Sequence, residues 1–111
     1  MQQPSTVIDI QTQNRSLYTV LQQEVDIGAA ALKQGNADMA VTLFSSALQK
    51  LSPDQPFYDH LIHNLLLAYK LQIEEAFRSG DAASAKNILE RALQLEVAGE
   101  MADRQRHAGG S

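Results

Sequence analysis

Apolar residues recur at three- and four-residue steps through most of the chain, the spacing that puts them on one side of an α-helix. Leu17, Val20, Leu21, Val25, Gly28 and Leu32 follow it, with Glu24 on the same stripe, and predict a helix over 15–34. Gly35 then supplies a stop and Asn36 an N-cap. A second helix is expected over 37–51, with Ala40, Leu43, Phe44, Ala47, Leu48 and Leu51 on one face. Ser52-Pro53-Asp54-Gln55-Pro56 ends it, because proline cannot continue a helix and biases the residue before it away from helical geometry. The third helix, from about 55–57 to 79, is expected to be the longest, roughly 35 Å at ~1.5 Å per residue. Gly80-Asp81 repeats the earlier punctuation. A fourth helix then runs to about 97, with Ala85, Ile88, Leu89, Ala92, Leu93 and Leu95 facing inward. No stretch alternates with period two, so the expected fold is all-α. The polar, Gln-rich segment 1–14 and the polar segment 99–111 are expected to be weakly ordered around a helical domain at 15–98. Val7, Ile8 and Ile10 are the residues by which the first of these segments could dock.

The two halves repeat each other. Lys33-Gln34-Gly35-Asn36-Ala37 corresponds to Arg78-Ser79-Gly80-Asp81-Ala82, and Ala40-x3-Phe44-x2-Ala47-Leu48 to Ala85-x3-Leu89-x2-Ala92-Leu93. Small alanines at fixed places let two antiparallel helices approach closely, while Phe44 and Leu89 are expected to fill the gap beside them. Repetition of one supersecondary unit is the strongest signal in the chain.

The first copy resembles the tetratricopeptide repeat. Glu24-x2-Ile27-Gly28-x2-Ala31 stands where that family has W-x2-L-G-x2-Y, and Ala40-x3-Phe44-x2-Ala47 is followed by Pro53 near the family's closing proline. Gly28 is the most telling match, since glycine within a helix costs about 1 kcal/mol relative to alanine and a closely packed neighbour is a reason to keep it. Glu24 and Ala31 replace the usual aromatics. The second copy, Tyr69-x2-Gln72-Ile73-x2-Ala76, lacks the glycine and has no proline after Leu95. The copies are offset by 45 residues, from Gly35 to Gly80, instead of the family's usual 34. The surplus is close to three helical turns at about 3.6 residues each, so the face of the third helix keeps nearly the same phase.

The resemblance implies two stacked helix-turn-helix hairpins with an elongated third helix and a concave groove lined by the first helix of each hairpin. That groove would present Val25, Ala29 and Leu32 from one hairpin and Lys70, Glu74 and Phe77 from the other. Its apolar first half suits a hydrophobic or helical ligand better than an acidic tail. Lys70, Glu74 and Arg78 also read as a solvated i, i+4 ion-pair ladder. The third helix is apolar around much of its circumference, and two hairpins fall short of the three or so repeats that such arrays generally need. Tyr58, Ile62, Leu66, Leu67 and Leu71 are therefore expected to meet another chain, either a second copy or a dedicated partner. The alternative is that this helix is simply the central core element.

Composition narrows the function further. Thirteen acidic residues outnumber nine basic ones, and the basic residues are dispersed, which argues against nucleic acid and anionic membranes as partners. The chain has no cysteine, which removes disulfides, thiolate nucleophiles and cysteine-based zinc sites, and makes a reducing, cytoplasmic setting the expectation. The N-terminus has neither the charged nor the apolar region of a secretory signal, and the longest apolar run, five residues from Leu65 to Tyr69, is far short of the ~20 that a membrane span needs. His60 and His63, i, i+3 with Asp59 alongside, have a spacing that can serve one metal but lack a second ligand cluster. Ser45 and Ser46 have no base near them in sequence, and Glu74 and Glu75 point in different directions on a helix. The glycines form no phosphate loop. No enzyme, cofactor or metal function is expected. The chain reads as a protein-interaction module, an adaptor or chaperone-type subunit. An obligate assembly or homodimerisation subunit and a non-catalytic regulatory subunit are its rivals.

Overall fold

The structure, a computed structural model, describes the backbone of residues 3–53 and 55–110 and the side chains of residues 17, 19–53, 55 and 57–105. Those residues form four α-helices and no strand: α1 (Gln3–Lys33), α2 (Ala37–Gln49), α3 (Pro56–Arg78) and α4 (Ala82–Gly110). Each helix packs on the next in the chain, and α1 reaches α3 only slightly. The result is a slab of 64 × 35 × 19 Å with a radius of gyration of 17.2 Å. A rounded domain of this length has a radius nearer 13 Å.

The two sharp turns have the same construction. At the end of α1, Gly35 takes φ +81°. Its N–H donates to the Leu32 carbonyl at 3.1 Å, while Asn36 N–H donates to Ala31 at 2.8 Å. At the end of α3, Gly80 takes φ +77°. Gly80 N–H donates to Phe77 at 3.1 Å and Asp81 N–H to Ala76 at 2.8 Å. These are Schellman caps, and a positive φ at that position is what only glycine adopts without strain. The residue that closes each cap also starts the next helix: Asn36 Oδ1 accepts from Met39 N–H, and Asp81 Oδ1 from Ser84 N–H. The α2–α3 link is different. Gln55 caps α3 with Pro56 in its first turn, where the missing N–H of proline has no intrahelical partner to lose.

Helix limits differ from the sequence expectation at both ends of the chain. α1 starts at Gln3, upstream of the clear helical period. Pro4 falls in the first turn, where proline is tolerated, and no glycine or further proline follows before Gly28. Any docking of Val7, Ile8 and Ile10 lies outside the described side chains. α4 continues to Gly110 instead of stopping near 97. Gly99 is the reason its course along α3 can continue: a Cβ there would meet Ile62 Cδ1 at 3.3 Å. Ala102 beyond it is 4% exposed. With 31 residues in α1 and 29 in α4, α3 at 23 is not the longest helix.

The core joins Leu21, Val25 and Ala31 of α1, Ala40, Phe44 and Ala47 of α2, and Leu61, Leu65 and Ala68 of α3. Phe44 and Leu61 are its largest fully buried side chains. The Phe44 ring lies directly over Gly28, where a Cβ would come 2.8 Å from Phe44 Cε1. No buried side-chain polar atom among the described residues lacks a hydrogen-bond partner.

Candidate interaction surfaces

The α1–α2 hairpin is closed by a polar clamp as well as by its core. Glu24 of α1 accepts from Ser46 Oγ at 2.7 Å and from Lys50 Nζ at 2.8 Å, both on or just after α2. Lys50 Nζ also donates to Ser46 Oγ at 3.0 Å. Burial pushes the Glu24 carboxyl up, but the hydrogen bonds from Lys50 and Ser46 and the attraction of the Lys50 charge together outweigh it and leave the pKa below its ordinary value. Ser46 is thus an element of a helix–helix joint. Across the next joint, Gln72 Nε2 of α3 donates to Asp38 Oδ1 of α2 at 2.8 Å.

The residues expected to line a groove are dispersed in character. Val25 is 8% exposed and belongs to the core, so a partner does not reach it on the folded chain. Ala29 and Leu32 are half-buried against that core. Lys70 and Glu74 are exposed, and Phe77 is 64% exposed beside the Gly80 turn. The residues expected to meet another chain through α3 are largely covered from within. Ile62 is buried against Gly99 of α4, Tyr58, Leu66 and Leu71 are half-buried, and Leu67 is exposed. The unexpected length of α4 accounts for the cover over Ile62 and Leu66, which its C-terminal half lies against.

α4 itself departs from expectation. Its buried side reads Ala85, Ile88, Ala92, Leu95, Gly99 and Ala102, alternating steps of three and four. Leu89 and Leu93, expected to face inward, are instead 49% and 53% exposed. Together with Val97 and Met101, 54% and 55% exposed, they form a row at four-residue intervals along the outer side of the helix. The cause is positional. Leu89 and Leu93 correspond to Phe44 and Leu48 of α2, which has a helix on either side, whereas α4 has α3 alone. Nor does α3 offer the niche that α1 offers Phe44: the counterpart of Gly28, 45 residues on, is Ile73.

Two shallow hollows lie on the described surface. One of ≈ 450 Å³, between α1 and α2, is lined by Ile27, Asp38, Met39, Thr42 and Leu43. The other, ≈ 270 Å³, lies between α3 and α4, with Ile62 and Leu66 at its base and Asp59, His63, Glu96, Glu100 and Asp103 around it. Neither is an enclosed cavity. His60 stacks on Phe57, ring centroids 5.8 Å apart, and no group of three or more His, Asp or Glu among the described residues could hold a metal ion. No described helix is long and apolar enough to cross a membrane. The chain matches no protein-family model, no curated protein and no solved structure.

Proposed function

We propose that this chain is a non-catalytic protein-interaction module, an adaptor or chaperone-type subunit built from two hairpins of tetratricopeptide-like design. The observation that carries the reading is the row Leu89, Leu93, Val97 and Met101. Four large apolar side chains stand about half exposed on one side of a helix. Contiguous exposed apolar surface of this kind is characteristic of protein-binding faces, and its helical spacing suits a partner helix or an extended hydrophobic segment. The close fit of Phe44 over Gly28 supports the likeness of the first hairpin to the repeat family. The absence of cysteine supports a reducing, cytoplasmic setting for the partner.

Site-specific photo-crosslinking in the native cell tests the reading. A benzophenone side chain at position 93 should give discrete protein adducts on irradiation, and one at Gln49, exposed on α2, should give none of them. Equal smears at both positions, or no adduct at 93, would sink the proposal.

A further inference from the structure

The outer faces of α1 and α4 are the two ends of the stack, and the chain's own repetition relates them. α2 and α3 run antiparallel, tied at one level by Gln72 to Asp38. In an antiparallel pair each turn climbed on one helix is a turn descended on the other, so Leu48 of α2 lies level with Leu61 and Ile62 of α3. The two hairpins are offset by 45 residues, Gly35 to Gly80, with identical caps. α4 is therefore the counterpart of α2, and α1 the counterpart of α3.

Carried through that offset, the α2–α3 joint matches what the two end faces expose. Leu93, counterpart of Leu48, falls level with the stretch of α1 that corresponds to Leu61 of α3. Val20, counterpart of the buried Leu65, falls level with Leu89 and Glu90. The polar tie itself becomes an apolar match: Asp38 corresponds to Ala83 and Gln72 to Ile27. Val20 and Ile27 stand exposed among the described side chains of α1, at 42% and 53%.

We propose that a second copy of this chain docks α1 onto the outer face of α4, repeating between molecules the joint that α2 and α3 make within one. This rests on reading α4 as a protein-binding face and names its occupant. The rival is self-pairing, α4 against α4 about a two-fold axis. With Leu93 level with Val97 it would set Glu90 against Glu100 and Lys86 against Arg104, like charge on like; with Val97 level with Val97 it would set Glu90 against Arg104. Disulfide trapping separates it from the head-to-tail mode. Because its two surfaces are different, association leaves a free α1 and a free α4 at the ends and continues beyond a dimer.

The absence of native cysteine makes disulfide trapping clean. Val20→Cys and Leu89→Cys are both at exposed positions, so neither removes core packing; helical circular dichroism checks each fold. Under mild oxidation the two single variants mixed should give a mixed dimer, and each alone should stay monomeric. The double variant should give a ladder beyond dimer that Ile27→Glu abolishes. Gln94→Cys replacing Leu89→Cys is the control for random collision. In sedimentation the unmodified chain should rise above 12.2 kDa with concentration, and Ile27→Glu should return it to that mass. Dimers of Leu89→Cys alone would assign the two-fold mode and overturn the proposal, as would mixed product no greater than the Gln94 control. Adducts to other proteins at position 93 without any ladder would refute self-docking and leave the interaction module standing. Loss of both would remove both.

Discussion

Replacing Gly28 with alanine separates the reading of this fold from one based on helix propensity alone. In an unobstructed helix the change stabilises by about 1 kcal/mol, since alanine is the best helix former and glycine nearly the worst. Here the new Cβ would stand 2.8, 3.1 and 3.2 Å from Cε1, Cδ1 and Cζ of Phe44. The ring has no free volume to turn into, because Phe44 is 0% exposed. Forcing a methyl into a packed core costs about 1–3 kcal/mol, and a contact this short belongs in the upper half of that range. The net expectation is a loss of about 1–2 kcal/mol, or roughly 4–15 °C in midpoint for a domain of this size. Urea denaturation measures it, provided the slope of the transition is unchanged. A double-mutant cycle sharpens the result. In a Phe44→Leu background the obstruction is gone, and Gly28→Ala should become neutral or stabilising. If Gly28→Ala stabilises the unmodified chain by ~1 kcal/mol, the close approach of α1 and α2 is wrong.

Gly35→Ala and Gly80→Ala should each cost about 1–2 kcal/mol in the same assay for a purely conformational reason, since both glycines hold positive φ and have nothing within 4 Å of a new Cβ. Asparagine at either position should cost less. Phe44→Ala should cost about 3–5 kcal/mol through the cavity it leaves, enough to unfold a large fraction of a chain this small at 37 °C. The Glu24 clamp should appear as a pH dependence. Its carboxyl titrates below its ordinary value of 4.5 in the folded chain, so its contribution is present above that pH and is lost as pH falls through the lower folded value. Glu24→Gln should flatten the fall in urea midpoint between neutral pH and pH 3. An unchanged slope would mean that the clamp does not form in solution.

The sequence alone determined the local grammar of this protein. The three- and four-residue period sets α-helix from about residue 15 to about residue 97. Gly35-Asn36 and Gly80-Asp81 place two turns to the residue, because a positive φ followed by an N-capping side chain is a local requirement that few residues meet. Ala40, Phe44 and Ala47 mark a buried face, and Gly28 marks the point of closest approach, because a glycine inside a helix needs a reason. What only the tertiary structure decided is which apolar residues find cover. Leu89 and Leu93 carry the same pattern as Phe44 and Leu48 yet stand half exposed, because burial depends on a neighbouring helix, and the last helix in a stack has one fewer. Ile62 is covered, and Leu66 partly so, by a stretch of α4 whose polar composition gives no hint of it. That stretch runs on along α3 past Gly99, which has no side chain to hold it away from Ile62. Val25 illustrates the same limit in reverse: periodicity places it on the apolar side of α1, and only the packing of α2 and α3 shows that this side is core and not groove. Periodicity reports a residue's angle around its own helix, whereas exposure is set by what stands opposite.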